Sequence, residues 1–280
     1  MISATVFTPC SPPPTDRSND GVDQPERLSR SRRNVGEPAK YWPQNSTIKI
    51  AMYDYPMDDP YVRAVKNAAN EWSTHINLTF EFVSGDEGDA KITQNMVGDA
   101  GGSSRIGNDA QRALYGAPTM SLPRDHTLPS FNQTVLHEFG HMLGAHHAHQ
   151  HPDANVQWDH AVLDLNYPQP DQQTNFLPLP RSESYDFLPY DPDSIMHYAI
   201  DPGLTTSNVY HSGGSTLSAG DIAWAKKTYP RPDKGEDATF SIPGSPHSYQ
   251  APPTPPAIHR PRFRDADSDC ITQGVAHAGL

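Results

Sequence analysis

The chain has 280 residues, 29 prolines, a hydrophobic fraction of 35% and a formal net charge of −12. This length allows one large domain or two small ones, and the composition predicts a globular middle with disordered ends. The acidic balance without a basic stripe argues against a nucleic-acid partner, and no apolar stretch approaches the roughly 18 residues of a membrane-spanning helix.

Residues 1–39 contain no apolar run and are predicted to form a disordered tail. They lack the basic start and the apolar segment of a secretory signal. Residues 30–33 (RSRR) could be a processing site for a protease that cleaves after basic residues, although a simple charged tail is the favoured interpretation. Cys10 and Cys270 both fall in predicted tails, so the fold is not expected to depend on disulfides.

The folded part is predicted to begin near Tyr41, with a first strand over residues 47–53. Asp59 followed by Pro60 is typical of a helix start, and apolar residues at helical spacing continue to about residue 75. Further strands are predicted at residues 78–83 and 90–96, and a short edge strand at residues 120–122. The unpaired backbone groups of such an edge allow an extended peptide to dock by strand addition.

Residues 133–151 (QTVLHEFGHMLGAHHAHQH) contain the pattern H-E-x-x-H-x-x-G-x-x-H. His137 and His141 are four residues apart, so a helix places both imidazoles on one face. Gly144 tolerates positive φ and can end the helix, so that His147 returns as a third ligand. Three protein ligands and one open position are typical of a catalytic zinc site. Glu138 lies where its carboxylate can reach a water on the metal without being a ligand.

Three further histidines follow the same helix but lack the spacing of metal ligands from His141. They are interpreted as a solvated or loosely metal-binding tract: His146, His149 and His151. Beyond them, residues 152–190 are rich in Pro, Asp, Asn and Gln and are predicted to be irregular. Ser218 and Asp221 form an S-x-x-D box that predicts a last helix, which Pro230 ends.

The extended motif, together with Ser194-Ile195-Met196-His197-Tyr198, resembles the metzincin signature of zinc metallopeptidases. The SIMHY sequence is similar to the astacin form, and residues 104–107, 118–122 and 216–222 also resemble astacins, especially the compact microbial kind. The resemblance implies an α+β zincin catalytic domain over residues 40–230, between tails at residues 1–39 and 231–280. Such a domain has a twisted mixed sheet, two long helices above a cleft, and a mostly irregular lower subdomain that ends in a helix.

The resemblance also implies a zinc metalloendopeptidase that acts on protein or peptide substrates. One catalytic zinc ion would be bound by His137, His141 and His147. Glu138 would act as general base and acid, and Tyr198 would stabilise the oxyanion. Met196 is expected to pack beneath the histidines and not to bind metal. The family suggests an extracellular protein, whereas the oligomeric state is left open, with a monomer favoured.

The chain departs from the usual astacin pattern at several positions. Ala148 stands where astacins carry the glutamate that contacts the mature N-terminus, and the chain has no F-x-G-D motif of the kind that inhibits proenzymes. We therefore expect that removing the N-terminal tail leaves the activity roughly unchanged. Ser103 and Arg105 stand where astacins often show Trp and Tyr, so the walls of the substrate pockets are expected to differ.

Two other classes of function remain open at this stage. A zinc-binding pseudoenzyme would present or sense peptides without cutting them. A site that has lost its activity usually loses its acidic residue first, whereas Glu138 is present here. A histidine-rich metal buffer would bind several ions weakly, whereas a peptidase needs one tightly bound zinc ion per chain. The number of zinc ions per chain therefore distinguishes the buffer from the peptidase.

Overall fold

The computed structural model describes residues 2–3, 34–94, 101–114 and 116–232. Most of both predicted tails lies outside the described residues, as do Cys10, Cys270, the basic cluster at residues 30–33 and the last two residues of the strand predicted at 90–96. The described stretch that contains the first residues of the domain begins at Asn34, six residues before its predicted start at residue 40.

A mixed sheet forms the upper side of the fold. Its strands are β1 (Ile2–Ser3), β3 (Thr47–Met52), β4 (Thr79–Ser84), β5 (Ala90–Gln94), β6 (Ser103–Ser104) and β7 (Met120–Leu122), in the order β1-β6-β7-β5-β3-β4. Strand β3 is parallel to β4 and β5, and β5 is parallel to β7, whereas β6 is antiparallel to both β7 and β1. A separate pair joins β2 (Val35–Gly36) to β8 (Asp186–Phe187). The predicted mixed sheet is confirmed.

The predicted position of the sheet edge was wrong. Strand β7 lies between β5 and β6, so the edge that faces away from β7 belongs to Ser103 and Ser104 of β6. Strand β1 pairs with this outer edge. Two serines preceded by glycines carry little β-propensity, so no local pattern indicated a strand at β6. Met120 and Leu122 of β7 are buried, as expected for a strand with neighbours on both sides.

Two long helices pack together on the sheet: α1 (Pro60–Ser73) and α2 (Phe131–Met142). The start of α1 is as predicted, because the Asp59 carboxylate accepts a hydrogen bond from the backbone N–H of Tyr61. The side-chain N–H of Trp72 donates to the carbonyl of Leu136 at 2.9 Å and ties α1 to α2. Helix α2 has apolar residues around its circumference and is buried along nearly all of its length.

The segment predicted to be irregular contains two short helices, α3 (His160–Asn166) and α4 (Gln169–Asn175). Asp159 caps α3 by accepting from the backbone N–H groups of Ala161 and Val162. A small separate apolar cluster supports this region and consists of Trp158, Leu163, Phe176 and Ile200. Most residues between these apolar side chains are polar, so the sequence pattern did not predict the two helices. No described helix is long and apolar enough to cross a membrane.

The last helix, α5 (Ala219–Thr228), begins with the predicted capping box, in which the side chains of Ser218 and Asp221 each accept a hydrogen bond from the backbone N–H of the other.

The segment at residues 34–36 packs against parts of the chain that follow α2, through the pairing of β2 with β8 and a bridge to Ala145. Val35 is fully buried, and Gly36 bridges to Ala145 beside the end of α2. These residues therefore belong to the fold and not to a tail.

Candidate metal centre

Helix α2 and the turn that follows it bring three histidines together. His137 and His141 lie one turn apart on α2, and both are buried. Gly144 adopts a φ of 102°, which reverses the chain and returns His147 to the same point. The Nε2 atoms of His141 and His147 are 3.0 Å apart, and one ligand atom from each of the three histidines lies within 4.8 Å of the other two. The structure thus brings the three predicted ligands together.

Two backbone carbonyls orient the helical histidines. Nδ1 of His137 lies 2.8 Å from the carbonyl oxygen of Ile195, and Nδ1 of His141 lies 2.8 Å from that of Ala145. Because a carbonyl only accepts hydrogen bonds, each Nδ1 carries the proton and each Nε2 offers a lone pair to a metal. Sequence reasoning missed both carbonyls, since backbone acceptors leave no signal in residue types.

The protonation of the three histidines suits a metal site. Burial lowers the pKa of His137 to about 4 and lowers the pKa values of His141 and His147 well below their usual range. A ligating imidazole must be neutral, and these side chains are neutral near pH 7. Within the described part of the chain, Nε2 of His137 is buried without a hydrogen-bond partner. Three neutral imidazoles with such an orphaned nitrogen fit zinc.

Glu138 is also fully buried beside the histidines. Neither of its carboxylate oxygens has a hydrogen-bond partner among the described atoms, and burial raises its pKa well above the usual value. Gly102, which immediately precedes β6, passes directly over this carboxylate, because a Cβ atom on Gly102 would lie 2.7 Å from Cγ of Glu138. Burying a carboxylate without partners is costly, which is typical of a functional group and not of a structural one.

The segment from Ser194 to Tyr198 forms the floor of the site. Met196 is fully buried, and its sulfur packs against Gly140 of α2, so the predicted packing role of Met196 is confirmed. The Met196 carbonyl accepts from the backbone N–H of Ala148 at 2.9 Å, which joins the floor to the loop that carries His147.

Asp221 of α5 holds this floor in place. Its carboxylate accepts hydrogen bonds from the hydroxyl of Ser194 at 2.7 Å and from the backbone N–H of Ile195 at 2.8 Å. It also accepts from the side-chain amide of Asn34. The capping box revealed Asp221 in the sequence, but the contacts with Ser194 and Ile195 depend on the tertiary fold.

Tyr198 lies at the edge of the histidine cluster. Its ring centroid is 4.1 Å from that of His147 and 5.6 Å from that of His137. The ring of His149 also stacks on Tyr198, with centroids 4.7 Å apart. The structure therefore brings Tyr198 close to the three predicted ligands.

The three additional histidines are buried, so the prediction of a solvated tract was wrong. His146 bonds to the Glu37 carboxylate at 2.8 Å, and His149 bonds to the Asn175 carbonyl at 2.6 Å. His151 accepts from the backbone N–H of Asp153 at 2.9 Å. The hydrogen bonds of His146 and His149 therefore join distant segments of the fold, whereas that of His151 is local and its ring packs against Phe187. Across the described ranges, His137, His141 and His147 form the one group of metal-binding side chains close enough to share an ion.

Comparison with known proteins identifies similar chains. The model of the astacin peptidase family matches residues 34–211. Bone morphogenetic protein 1 of Xenopus laevis is 29% identical over 262 residues, which cover 82% of this chain and 35% of that protein. Tolloid-like protein 1 of Homo sapiens is 31% identical over 204 residues, which cover 66% of this chain and 19% of that protein.

Among solved structures, that of myroilysin aligns with a TM-score of 0.61 and a sequence identity of 33%, covering 71% of this chain and 99% of that chain. The present chain therefore spans nearly all of the myroilysin chain but at most 35% of the two sequence relatives. The matched residues 34–211 include the histidine cluster, Glu138, Met196 and Tyr198.

Proposed function

Because this chain belongs to the astacin family of zinc metallopeptidases, we propose that it hydrolyses internal peptide bonds of proteins or peptides at the histidine cluster. We place the catalytic domain at residues 34–230, since residues 34–36 are enclosed by the fold. The observation that carries the proposal is the convergence of three neutral imidazoles beside a buried carboxylate that has no partner among the described atoms.

The family cofactor is zinc, and His137, His141 and His147 would hold one ion through their Nε2 atoms. When bound, zinc supplies a Lewis acid that lowers the pKa of a water molecule towards 7 and polarises the scissile carbonyl. The carbonyls of Ile195 and Ala145 fix the tautomers of His137 and His141, so these two ligands are ready before the ion arrives.

Glu138 would act as the general base and then as the general acid. One of its carboxylate oxygens takes the proton of the attacking water and passes it to the nitrogen of the leaving amine. Gly102 closes over the carboxylate, and this close approach keeps bulk water from Glu138. General acid–base catalysis of this kind contributes on the order of 100- to 10,000-fold to the rate.

Tyr198 would stabilise the oxyanion by donating its phenolic hydrogen to the substrate oxygen as negative charge develops. Its contacts with the rings of His147 and His149 hold the side chain at the edge of the site. A substrate peptide would lie in extended form along the outer edge of β6, next to Gly102 and Glu138.

The test is hydrolysis of casein by the purified chain beside the Glu138→Gln variant, with zinc per chain counted in both. We expect cleavage by the unmodified chain alone and one zinc ion in each protein. One zinc ion without cleavage of casein or of a mixed peptide library would instead identify a peptide-binding pseudoenzyme. Several weakly bound ions without cleavage would identify a metal buffer.

A further inference from the structure

We propose that the cleft selects peptides with an acidic side chain on the amino-terminal side of the cleaved bond, and that the guanidinium of Arg105 binds this carboxylate. The inference rests on the proposed peptidase function and adds a substrate class to it. Three observations support it: a cavity at the end of β6, the unpaired positive charge of Arg105 in that cavity, and the strand register that would place a peptide residue beside it.

The cavity has a volume of about 350 Å³ and opens beside the carboxyl end of β6. The turn at residues 38–40, the loop after β6 and the end of α4 all contribute to its walls. Its polar lining includes Lys40, Arg105, Asp109, Thr174 and Tyr185. The cavity is therefore large enough for one side chain and is rich in hydrogen-bonding groups.

Most charges around this cavity are already paired. Lys40 forms ion pairs with Glu37 at 3.1 Å and with Asp109 at 2.9 Å. Asp109 also pairs with Arg112 at 3.1 Å. Arg105, in contrast, forms no ion pair with any residue that the structure describes, and its Nε is buried without a hydrogen-bond partner there. The uncompensated charge of the cavity is therefore the Arg105 guanidinium.

The pairing of β1 with β6 shows how an antiparallel strand runs along this edge. Ile2 lies opposite Ser104 and Ser3 lies opposite Ser103, so each step towards the amino end of the added strand moves one residue forward along β6. A peptide that binds in the same register places a residue opposite Gly102, above Glu138. The residue about three positions upstream then lies opposite Arg105.

An acidic side chain at this position gives a partner to the half-buried guanidinium of Arg105, whose Nε has none among the described atoms. A guanidinium and a carboxylate form paired, charge-assisted hydrogen bonds, which are stronger in a partly enclosed cavity than in water. A neutral side chain of similar size leaves the charge uncompensated. We expect a preference of about tenfold in kcat/KM for the acidic peptide over its neutral counterpart.

The experiment uses matched peptides that carry a single Glu or Gln at each of the first five positions upstream of one cleavable bond. Their kcat/KM values are measured with the unmodified chain, Arg105→Gln and Arg112→Gln. Arg112 supplies the control because it lies in the same loop and carries the same charge but does not line the cavity. A further peptide with Glu downstream of the bond controls for general attraction of negative charge.

We expect the Glu preference to peak near the third upstream position, to disappear in Arg105→Gln and to persist in Arg112→Gln. Arg105→Gln should keep the unfolding temperature of the unmodified chain, which shows that it is folded, and Arg112→Gln should cleave the Gln peptides at the unmodified rate. Equal cleavage of Glu and Gln peptides by the unmodified chain would overturn the inference and leave the peptidase intact. Absence of cleavage for every peptide would instead overturn the proposed function.

Discussion

The two sides of the cleft are built by different means. The upper part, residues 47–142, packs five of the six strands of the mixed sheet under α1 and α2 and contains most of the apolar core. The lower part, residues 143–232, has short helices and loops, with a separate apolar cluster around Trp158 and Leu163. Two of the proposed zinc ligands come from the upper part, and the third comes from the lower part.

Because the two parts are stabilised differently, substitutions in the upper part and in the lower part should have different effects on stability and on the site. The upper part derives its stability from apolar burial, so truncation there should unfold the domain. In the lower part, hydrogen bonds hold the segments around the site in place, such as those of Asp221 with the floor segment and of Ala148 with Met196. Loss of such contacts should displace site residues before the whole domain unfolds.

Phe139→Ala should have the largest effect. The Phe139 side chain is fully buried on α2 and packs against Phe80 and Phe82 of β4. Its truncation should lower the free energy of unfolding by about 3–5 kcal/mol, as measured by urea denaturation. Leu165→Ala, at a position 85% exposed on α3, is the control and should change the free energy by less than about 0.5 kcal/mol. Similar losses in both variants would contradict the comparison.

Tyr198→Phe should come next and should affect catalysis alone. If Tyr198 donates to the oxyanion, its loss should lower kcat by about 100- to 1,000-fold, equivalent to about 2.7–4 kcal/mol. Zinc content should stay unchanged, because the ring contacts with His147 and His149 remain. A variant that turns over normally would refute the role of Tyr198.

Asp221→Asn tests the join between α5 and the floor of the site. The amide cannot accept every hydrogen bond that the carboxylate receives from Ser194 and Ile195, and each buried donor left unpaired costs about 1–3 kcal/mol. Because the Ile195 carbonyl orients His137, zinc affinity should fall as well, as measured by competition with a chelator. Ser218→Ala removes a helix cap, with a cost of about 1 kcal/mol, and should retain zinc affinity.

The smallest effect concerns Glu37, which joins the segment before β3 to His146. Burial raises the pKa of Glu37, but hydrogen bonds and charges from His146 and Lys40 outweigh burial and hold the pKa below 4.5. A lowered folded-state pKa stabilises the fold above the unfolded pKa, and this stability is lost as the pH falls through the folded-state value. The unfolding temperature should therefore decline below about pH 4.5, and less steeply in Glu37→Gln.

Sequence patterns predicted the upper part of the fold well. The strand at residues 47–53, the Asp59 cap and the helical spacing that follows it correspond closely to β3 and α1. These elements depend on local periodicity and capping, which residue types express directly. The histidine motif likewise combined helix geometry with a glycine reversal, so its three-dimensional arrangement could be predicted.

The remaining features depended on contacts between distant segments. Ser103 and Ser104 form a strand because they pair with β7, and no residue propensity predicts that pairing. The polar sequence around His149 predicted a solvated side chain. In the structure, however, His149 bonds to the carbonyl of Asn175, which belongs to α4, a helix that was not predicted. Polar residues whose partners lie far along the chain are thus the positions where local patterns fail.

The pairing of β1 with β6 places an internal competitor at the site where a substrate strand would bind. Residues 2–3 and a peptide require the same backbone groups of Ser103 and Ser104, and the tether gives residues 2–3 a constant effective concentration. The apparent dissociation constant of a peptide therefore increases in inverse proportion to the fraction of molecules with an open edge. This pairing changes the expectation drawn from Ala148: removal of residues 1–33 should lower KM and leave kcat unchanged.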